Sequence, residues 1–249
     1  MQLTLSTWQD VKTYLETSKS IIVPIGSMEQ HGPNGLIGTD SICPEVIAKR
    51  VGDQSGVLIG PTFNVGCAQH HLGFPGSMTL RPSTMIAAMC DWTASLARHG
   101  FNKIYWLNGH GGNIATIQAA FAEVYAKRSL EPVPARQAEM TLKLRNWWEF
   151  SEVLSAAKKM HPEGEGMHAT PSEVAITYAA YPNQVRDMQL EPKIAPTGAF
   201  TDAYDYRATF PDGRIGSDPT QATVENGEIL IQLAADAVAA EFMAFSQQG

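Results

Sequence analysis

A short apolar run that opens into a polar, charged loop constrains this chain most. Residues 21–26 (IIVPIG) are almost wholly apolar, as in a strand that is buried on both faces of a parallel sheet. Glu29, His31 and Asp40 follow on a stretch punctuated by glycine and proline. Because α/β proteins present charged side chains at the carboxyl edge of the sheet, the pattern predicts a functional site there.

Strand-like and helix-like segments alternate along the rest of the chain. Further strands are expected at 57–59, 104–107 and 140–144, and helices at 44–51, 82–99, 114–127, 171–180 and from 219 onward. This alternation predicts an α/β fold, a three-layer α/β/α sandwich with a mainly parallel sheet. The sequence has no internal repeat and no linker, so residues 1–249 are expected to form a single domain.

Composition narrows the class of protein further. A net charge of -7 with no basic cluster argues against nucleic-acid binding. Three cysteines without a CxxC spacing favour a reducing compartment. The N-terminus lacks a secretory signal pattern, and no apolar run is expected to span a membrane. We therefore expect a cytoplasmic protein with no nucleic-acid or membrane partner.

Two loops that follow predicted strands carry side chains that bind metals. The Glu-x-His spacing lets Glu29 and His31 approach one site, whereas Asp40 alone would be typical of a helix N-cap. His110 lies in a Gly- and Asn-rich turn, 108–113 (NGHGGN), after the strand predicted at 104–107. Such turns also bind phosphate, but this one matches no phosphate fingerprint, so a neutral imidazole ligand is preferred. Carboxylates combined with imidazoles suit Zn, Mn or Fe.

A third segment has two interpretations. Thr170 and Glu173 fit a capping box with proline at the first helical position, which would make Glu173 structural. His168 lies just before this helix and could be an ordinary surface residue or a functional one. Of the adjacent histidines His70 and His71, at most one is expected to face the site, and His71 is the candidate for a substrate contact.

Together these segments resemble the creatininase (creatinine amidohydrolase) family. The matching motifs are 24–33 (PIGSMEQHGP), 38–40 (GTD), 74–77 (FPGS), 108–113, His168 with Glu173, and the stretches 216–219 and 222–227. They cover nearly the whole chain in the order of the family. The resemblance implies an α/β/α fold, two divalent metal ions per subunit, a homo-oligomer that is commonly a hexamer, and hydrolysis of C–N bonds in amides or cyclic amides.

The resemblance also implies roles for individual residues. Glu29 and His110 would bind one metal, His31 the other, and Asp40 would bridge them. Glu173 maps to a family glutamate at the metal centre, and His168 to the residue that transfers a proton to the leaving nitrogen. The metal pair would activate water and polarise the carbonyl, while an amine leaves only when it is protonated.

Substrate contacts are expected from five residues of this chain. They are Gln69, His71, Ser77, Gly111 and Glu165. Creatininase itself has a glutamate ligand where this chain has Gly112, and a serine where it has Gln69. It also has a Trp-Asp pair near Gly164 and Glu165. We therefore expect a small-molecule amide other than creatinine as the substrate.

Two alternatives follow from the same residues. Family relatives deformylate a nucleotide precursor of flavin or deazaflavin synthesis, or trim a peptide in cofactor maturation. A formamide nucleotide would need a phosphate-binding group, for which Arg81 and Arg136 are the candidates. The chain could instead be a non-catalytic binding protein whose metal site stabilises an oligomer, because metal ligands also stabilise folds.

Overall fold

A computed structural model describes residues 1–130 and 139–247. Its sheet contains the strands β1 (Ser20–Ile25), β2 (Lys103–Asn108) and β3 (Thr141–Asn146). All three are parallel, in the order β1-β2-β3, with Ile22 opposite Tyr105 and Tyr105 opposite Lys143. Their carboxyl ends therefore meet at one edge of the sheet, as the sequence predicted.

Arg136, a candidate for phosphate recognition, lies outside the described residues.

Eight α-helices are found in the described part of the chain. They are α1 (Trp8–Thr17), α2 (Thr39–Ser55), α3 (Pro82–Arg98), α4 (Ile114–Leu130), α5 (Ser151–Met160), α6 (Pro171–Ala180), α7 (Ala203–Thr209) and α8 (Val224–Gln247). Short 3₁₀ turns connect several of them, including Gln69–His71, Gly111–Asn113 and Pro219–Gln221.

The strands separate two apolar cores because their side chains alternate between the faces of the sheet. Ile22 and Tyr105 point into one core, where they join side chains of α2, α6 and α8. Ile21 and Trp106 point into the other, which α3 and α4 cover. The sheet thus lies between two helical layers, and the expected three-layer α/β/α sandwich is confirmed.

Three predictions about individual strands and helices are wrong, each for a local reason. Residues 57–59 form no strand; they run beside β1 but make only single bridges, through Ile59 to Ile22 and to Gln2. Helix α2 begins at Thr39 and not at 44, so Pro44 lies inside it. The proline leaves the carbonyl of residue 40 without its helical N–H partner but does not stop the helix.

The third error concerns the last helix. Asp218 accepts a hydrogen bond from the backbone N–H of Thr220, at 3.2 Å. It therefore caps the short turn Pro219–Gln221, and α8 begins only at Val224.

Helix α8 also differs from the expectation that no segment is long and apolar enough to span a membrane. Its 24 residues pass that test by length and composition. In the structure, however, Leu230, Ala234 and Val238 of this helix are fully buried in the core that includes α2 and α6. Part of the apolar surface of α8 is therefore used in packing against α2 and α6.

Candidate metal centre

The predicted ligands come from four separate segments that meet at the carboxyl edge of the sheet. Glu29 and His31 lie in the loop after β1, and His110 lies in the loop after β2. Asp40 is in the first turn of α2, and Glu173 is in the first turn of α6. Each segment is fixed by a regular element, so the side chains are held by the scaffold.

Two glycines allow the start of α2 to reach the strand ends. A Cβ atom on Gly26 would lie 2.1 Å from the carbonyl oxygen of Asp40, and one on Gly109 would lie 2.0 Å from the same atom. Both distances are far shorter than any tolerated contact. The absence of a side chain at these two positions therefore places Asp40 beside the loops that follow β1 and β2.

The ligand atoms form two groups that share Asp40. In the first, the imidazole of His110 lies between two carboxylates, with Nε2 3.3 Å from Oε2 of Glu29 and Nδ1 2.8 Å from Oδ2 of Asp40. In the second, Nε2 of His31 lies 3.0 Å from Oδ1 of Asp40 and 3.8 Å from Oε1 of Glu173. Within each group the ligand atoms lie within 4.8 Å of one another, a spacing that could hold a metal ion.

Three carboxylate oxygens of this cluster lack a regular hydrogen-bond partner. Both carboxylate oxygens of Glu29 and Oδ2 of Asp40 are buried and make no hydrogen bond of regular geometry within the described structure. Buried carboxylate oxygens are costly unless a cation or hydrogen-bond donor compensates them. A mixed set of carboxylate and imidazole donors is the kind that Zn²⁺, Mn²⁺ or Fe²⁺ binds. The residues present therefore fit a divalent metal centre.

In the protein alone, the charged groups of this cluster shift the pKa values of their neighbours. Burial opposes a charge on His31, but the carboxylates of Asp40 and Glu173 outweigh it and raise the pKa of His31 to about 10. Burial likewise opposes a charge on His110, but Glu29 and Asp40 raise its pKa to about 9. Both imidazoles are therefore protonated at neutral pH in the protein alone, and their positive charges lie beside the carboxylates of the cluster.

The carboxylates respond to the same neighbours in different ways. Burial and the charge of Asp40 oppose the ionisation of Glu29, yet His110 and His71 outweigh them and lower its pKa. Burial also opposes ionisation of Asp40, but His31 and His110 hold its pKa below the usual range. Burial raises the pKa of Glu173 to about 7, only partly offset by His31.

Glu173 has both of the roles between which the sequence left a choice. Its Oε1 accepts a hydrogen bond from the backbone N–H of Thr170 at 2.5 Å, and the hydroxyl of Thr170 accepts one from the N–H of Glu173 at 3.1 Å. This is the predicted capping box of α6. The same carboxylate faces His31, so capping the helix also positions Glu173 at the cluster.

His168 lies against the cluster on its other side. Its ring packs at a tilt against those of His31 and His71, with centroid distances of 4.5 and 4.4 Å. Its Nε2 donates to the backbone carbonyl of Gln30 at 2.7 Å. Burial and the neighbouring His71 and His31 hold the pKa of His168 well below its usual value, so the ring is neutral.

The backbone beside His168 has an unusual conformation. Ala169 has φ of +55°, in the left-handed region that favours glycine and asparagine. The hydroxyl of Ser217 donates to the carbonyl of His168 at 2.6 Å and holds this turn in place. The turn carries the chain from the ring of His168 directly into the N-cap of α6 at Thr170.

A cavity of about 750 Å³ opens onto the cluster. Of the five predicted substrate residues, His71, Gly111 and Glu165 line it, whereas Gln69 and Ser77 do not. His70 lines the cavity as well as His71, so the expectation that at most one of the two faces the site is wrong. Gln69 is exposed to solvent. The hydroxyl of Ser77 accepts a hydrogen bond from the backbone N–H of Gln30 at 3.1 Å, which gives it a structural role.

Much of the cavity wall was absent from the sequence prediction. It includes Trp147, Trp148, Leu154, His161, Met167 and Phe200. Trp147 is 2% exposed and belongs to the apolar core as well as to this wall. No local signal marks these residues, because they come from segments that only the packing of α5 and the 192–217 region brings together.

The chain is similar to known proteins over nearly its whole length. The family described as Creatininase, creatinine amidohydrolase, matches residues 4–242. The creatinine amidohydrolase of Pseudomonas putida is 26% identical over 95% of both chains. The mycofactocin precursor peptide peptidase of Mycolicibacterium smegmatis is 26% identical over 84% of this chain and 78% of the peptidase.

Solved structures agree on the fold. A tryptophan-to-phenylalanine mutant of creatininase matches with a TM-score of 0.85 over 99% of both chains at 21% identity. A creatininase described as a Zn-Zn type matches with a TM-score of 0.83 at 22% identity, over 99% of this chain and 98% of that one. Family and fold together define the class of protein as an amidohydrolase on an α/β/α sandwich. The chain belongs to the creatininase family, which confirms the resemblance found in its motifs.

Proposed function

We propose that this protein hydrolyses a C–N bond of a small amide or cyclic amide with the help of two divalent metal ions. The observation that carries the proposal is the position of Asp40, whose two carboxylate oxygens face two different ligand groups. Glu29 and His110 would bind one ion, His31 and Glu173 the other, and Asp40 both. When bound, such a pair lowers the pKa of a water molecule and polarises the carbonyl that the water attacks.

His168 is suited to the proton transfer that amide cleavage requires. Because its Nε2–H donates to the carbonyl of Gln30, the free lone pair is on Nδ1, which lies 3.7 Å from Oε1 of Glu29. The ring is neutral at pH 7 and can therefore accept a proton at Nδ1 from the attacking water. Returning that proton to the departing nitrogen converts a poor leaving group into an amine.

The cavity supports a substrate larger than a single small ring. Its volume of about 750 Å³ falls in the range of pockets that enclose drug-sized ligands. Trp148, Leu154 and Phe200 give it an apolar wall, while Lys158 and Glu165 add charge to the lining. We therefore expect an amide that carries an apolar group, and faster cleavage of such substrates than of creatinine.

The test is an amide panel assayed with protein loaded with Zn²⁺, Mn²⁺ or Fe²⁺. The panel contains creatinine, simple lactams, formamides, short peptides and aryl-substituted amides, and release of amine, ammonia or formate is measured. We expect turnover of at least one amide class, lost on chelation with EDTA and restored by metal. The variant His168→Gln should lower kcat by roughly 10²–10⁴-fold while leaving metal stoichiometry unchanged.

Two results would contradict the proposal. Metal-loaded protein that is inert toward the whole panel would favour the non-catalytic binding protein. Unchanged kcat in His168→Gln, with metal bound, would remove His168 from the proton transfer. Formate release confined to formamides would point to the deformylase alternative.

A further inference from the structure

His71 is buried beside the candidate ligands, although neither ligand group that shares Asp40 includes it. It ends the 3₁₀ turn Gln69–His71, and 1% of its side chain is exposed. Its Nε2 lies 3.1 Å from Oε1 of Glu29, and its Nδ1 lies 2.9 Å from Nε2 of Gln30. Both ring nitrogens therefore face polar atoms of the protein.

The orientation of the Gln30 amide follows from its other partners. The backbone N–H of Gly32 donates to Oε1 of Gln30 at 2.8 Å, which identifies that atom as the amide oxygen. Nε2 is then the NH₂ group, and it donates one hydrogen to the carbonyl of Gly213 at 2.9 Å. The other amide hydrogen has two possible acceptors at 2.9 Å, Nδ1 of His71 and Nε2 of His168, and a more distant one, the hydroxyl oxygen of Tyr206 at 3.4 Å.

His168 cannot accept that hydrogen. Its Nε2 already carries the hydrogen that it donates to the carbonyl of Gln30, at 2.7 Å. The remaining amide hydrogen of Gln30 therefore goes to Nδ1 of His71. A neutral imidazole has a single N–H, so the hydrogen of His71 is on Nε2, the atom that faces Glu29.

We propose that His71 is a positioning residue whose Nε2–H attracts Oε1 of Glu29 across 3.1 Å, without a hydrogen bond of regular geometry, so that Oε2 is the oxygen offered to a metal ion. Oε2 is the atom that lies 3.3 Å from His110, in the first ligand group. Two imidazoles approach Oε1, and His71 at 3.1 Å is closer than His168 at 3.7 Å. Outer partners of this kind orient metal-binding carboxylates.

The surrounding residues hold the ring of His71 in this orientation. The ring of Tyr206 packs edge-on against it with a centroid distance of 4.7 Å. The hydroxyl of Tyr206 donates to the carbonyl of Gly213 at 2.7 Å, the same carbonyl that accepts from Gln30. With both nitrogens of His71 engaged inside the protein, the ring has no polar atom left for the substrate contact that the sequence predicted.

The inference rests on the proposed metal-dependent function, and metal affinity tests it without any substrate. Dissociation constants for Zn²⁺ and Mn²⁺ are measured by competition with a chromophoric chelator for wild type, His71→Leu and His71→Gln. We expect His71→Leu to weaken metal binding by roughly 10–100-fold. His71→Gln should recover most of the affinity, because the glutamine amide can donate from the position of Nε2.

His99→Leu is the control. His99 is exposed at the end of α3 and is not part of the cavity lining. We expect its metal affinity to stay within a few-fold of wild type. Circular dichroism and melting of the metal-free variants report on folding, and kcat and KM on any amide that is turned over should show a loss in kcat.

Three outcomes would overturn the inference. Unchanged metal affinity in His71→Leu with a raised KM would make His71 a substrate contact. An equal loss of affinity in His71→Leu and His71→Gln, together with lower melting temperatures, would make it a packing residue only. If wild-type protein binds neither ion, the proposed function fails together with this inference, whereas the first two outcomes leave that function intact.

Discussion

At the scale of single residues, the candidate centre depends on close approaches that only glycine permits. Gly112 is one example. The resemblance to creatininase aligns this glycine with a glutamate that is a metal ligand in creatininase. A Cβ atom on Gly112 would lie 2.4 Å from Nε2 of His110 and 2.8 Å from the carbonyl oxygen of Cys67. Any larger residue at this position would therefore displace the imidazole or the backbone.

We expect Gly112→Ala to weaken metal binding by at least about tenfold, because the new methyl group pushes His110 away from Glu29 and Asp40. Gly111→Ala is the control, since a Cβ atom on Gly111 meets nothing within 4 Å. Chelator competition measures both variants. Equal affinities for the two variants would show that His110 adjusts freely and that the contact does not restrict the site.

A second prediction concerns protons. The pKa values of His31 and His110 are raised to about 10 and about 9, so below about pH 8 both imidazoles are charged in the protein alone. Metal ligation requires neutral imidazoles, and binding should therefore release about one proton from each histidine. Because these pKa values are raised, apparent metal affinity should increase with pH and level off only above about pH 10.

Titration calorimetry in two buffers of different ionisation enthalpy, at about pH 7.5, measures the number of protons released. The control is His99→Gln, which removes a histidine that is exposed at the end of α3 and should leave that number unchanged. Release of no protons would show that the two imidazoles are neutral before the metal binds.

At the scale of elements, the segment between α6 and α8 is held by one buried cation. Arg214 is fully buried and pairs with Asp212, with Nε 2.8 Å from Oδ2. Its guanidinium also donates to the carbonyls of Pro192 at 2.7 Å, Lys193 at 2.9 Å and Ser217 at 3.0 Å. Since the hydroxyl of Ser217 bonds the carbonyl of His168, this network supports the turn before α6.

We expect Arg214→Met to lower the free energy of unfolding by on the order of 3 kcal/mol, because three backbone carbonyls and the carboxylate of Asp212 lose the donor that this buried guanidinium supplies. Arg98→Met, which changes an exposed arginine in the last turn of α3, should change it by less than about 0.5 kcal/mol. Urea denaturation followed by circular dichroism measures both. Coincident unfolding curves would contradict the structural role of Arg214.

At the scale of the whole molecule, family resemblance leads us to propose a homohexamer. Several large apolar side chains remain on the surface of the chain, with Trp8 72%, Met167 79% and Leu130 84% exposed. Exposed apolar groups of this size are typical of subunit contacts when they form patches. Light scattering coupled to size exclusion should give about six times the chain mass of 27.0 kDa. A mass of one chain at micromolar concentration would contradict the assembly.

The class of fold and much of the candidate site follow from patterns in the amino-acid sequence. Apolar runs with helices between them specify parallel strands, and parallel strands place their following loops at one edge. Glu29, His31 and His110 were therefore predictable from local pattern alone. The family motifs extended this to Asp40 and Glu173, for which the local pattern also allowed capping roles, and to His168, which the local pattern allowed to be an ordinary surface residue.

The specific contacts of each of these side chains depend on long-range packing, which the local sequence pattern does not show. Asp40 faces two ligand groups because Gly26 and Gly109, far apart in sequence, let α2 approach both strand ends. The hydrogen-bond partners of His71 and Gln30 come from segments separated by dozens of residues, and no local pattern encodes such contacts. The cavity wall likewise exists only after α5 packs beside the sheet. Long-range packing sets the distances between these atoms. Those distances determine which atom can bind a metal ion, which donates a hydrogen bond and which holds a neighbouring side chain in position.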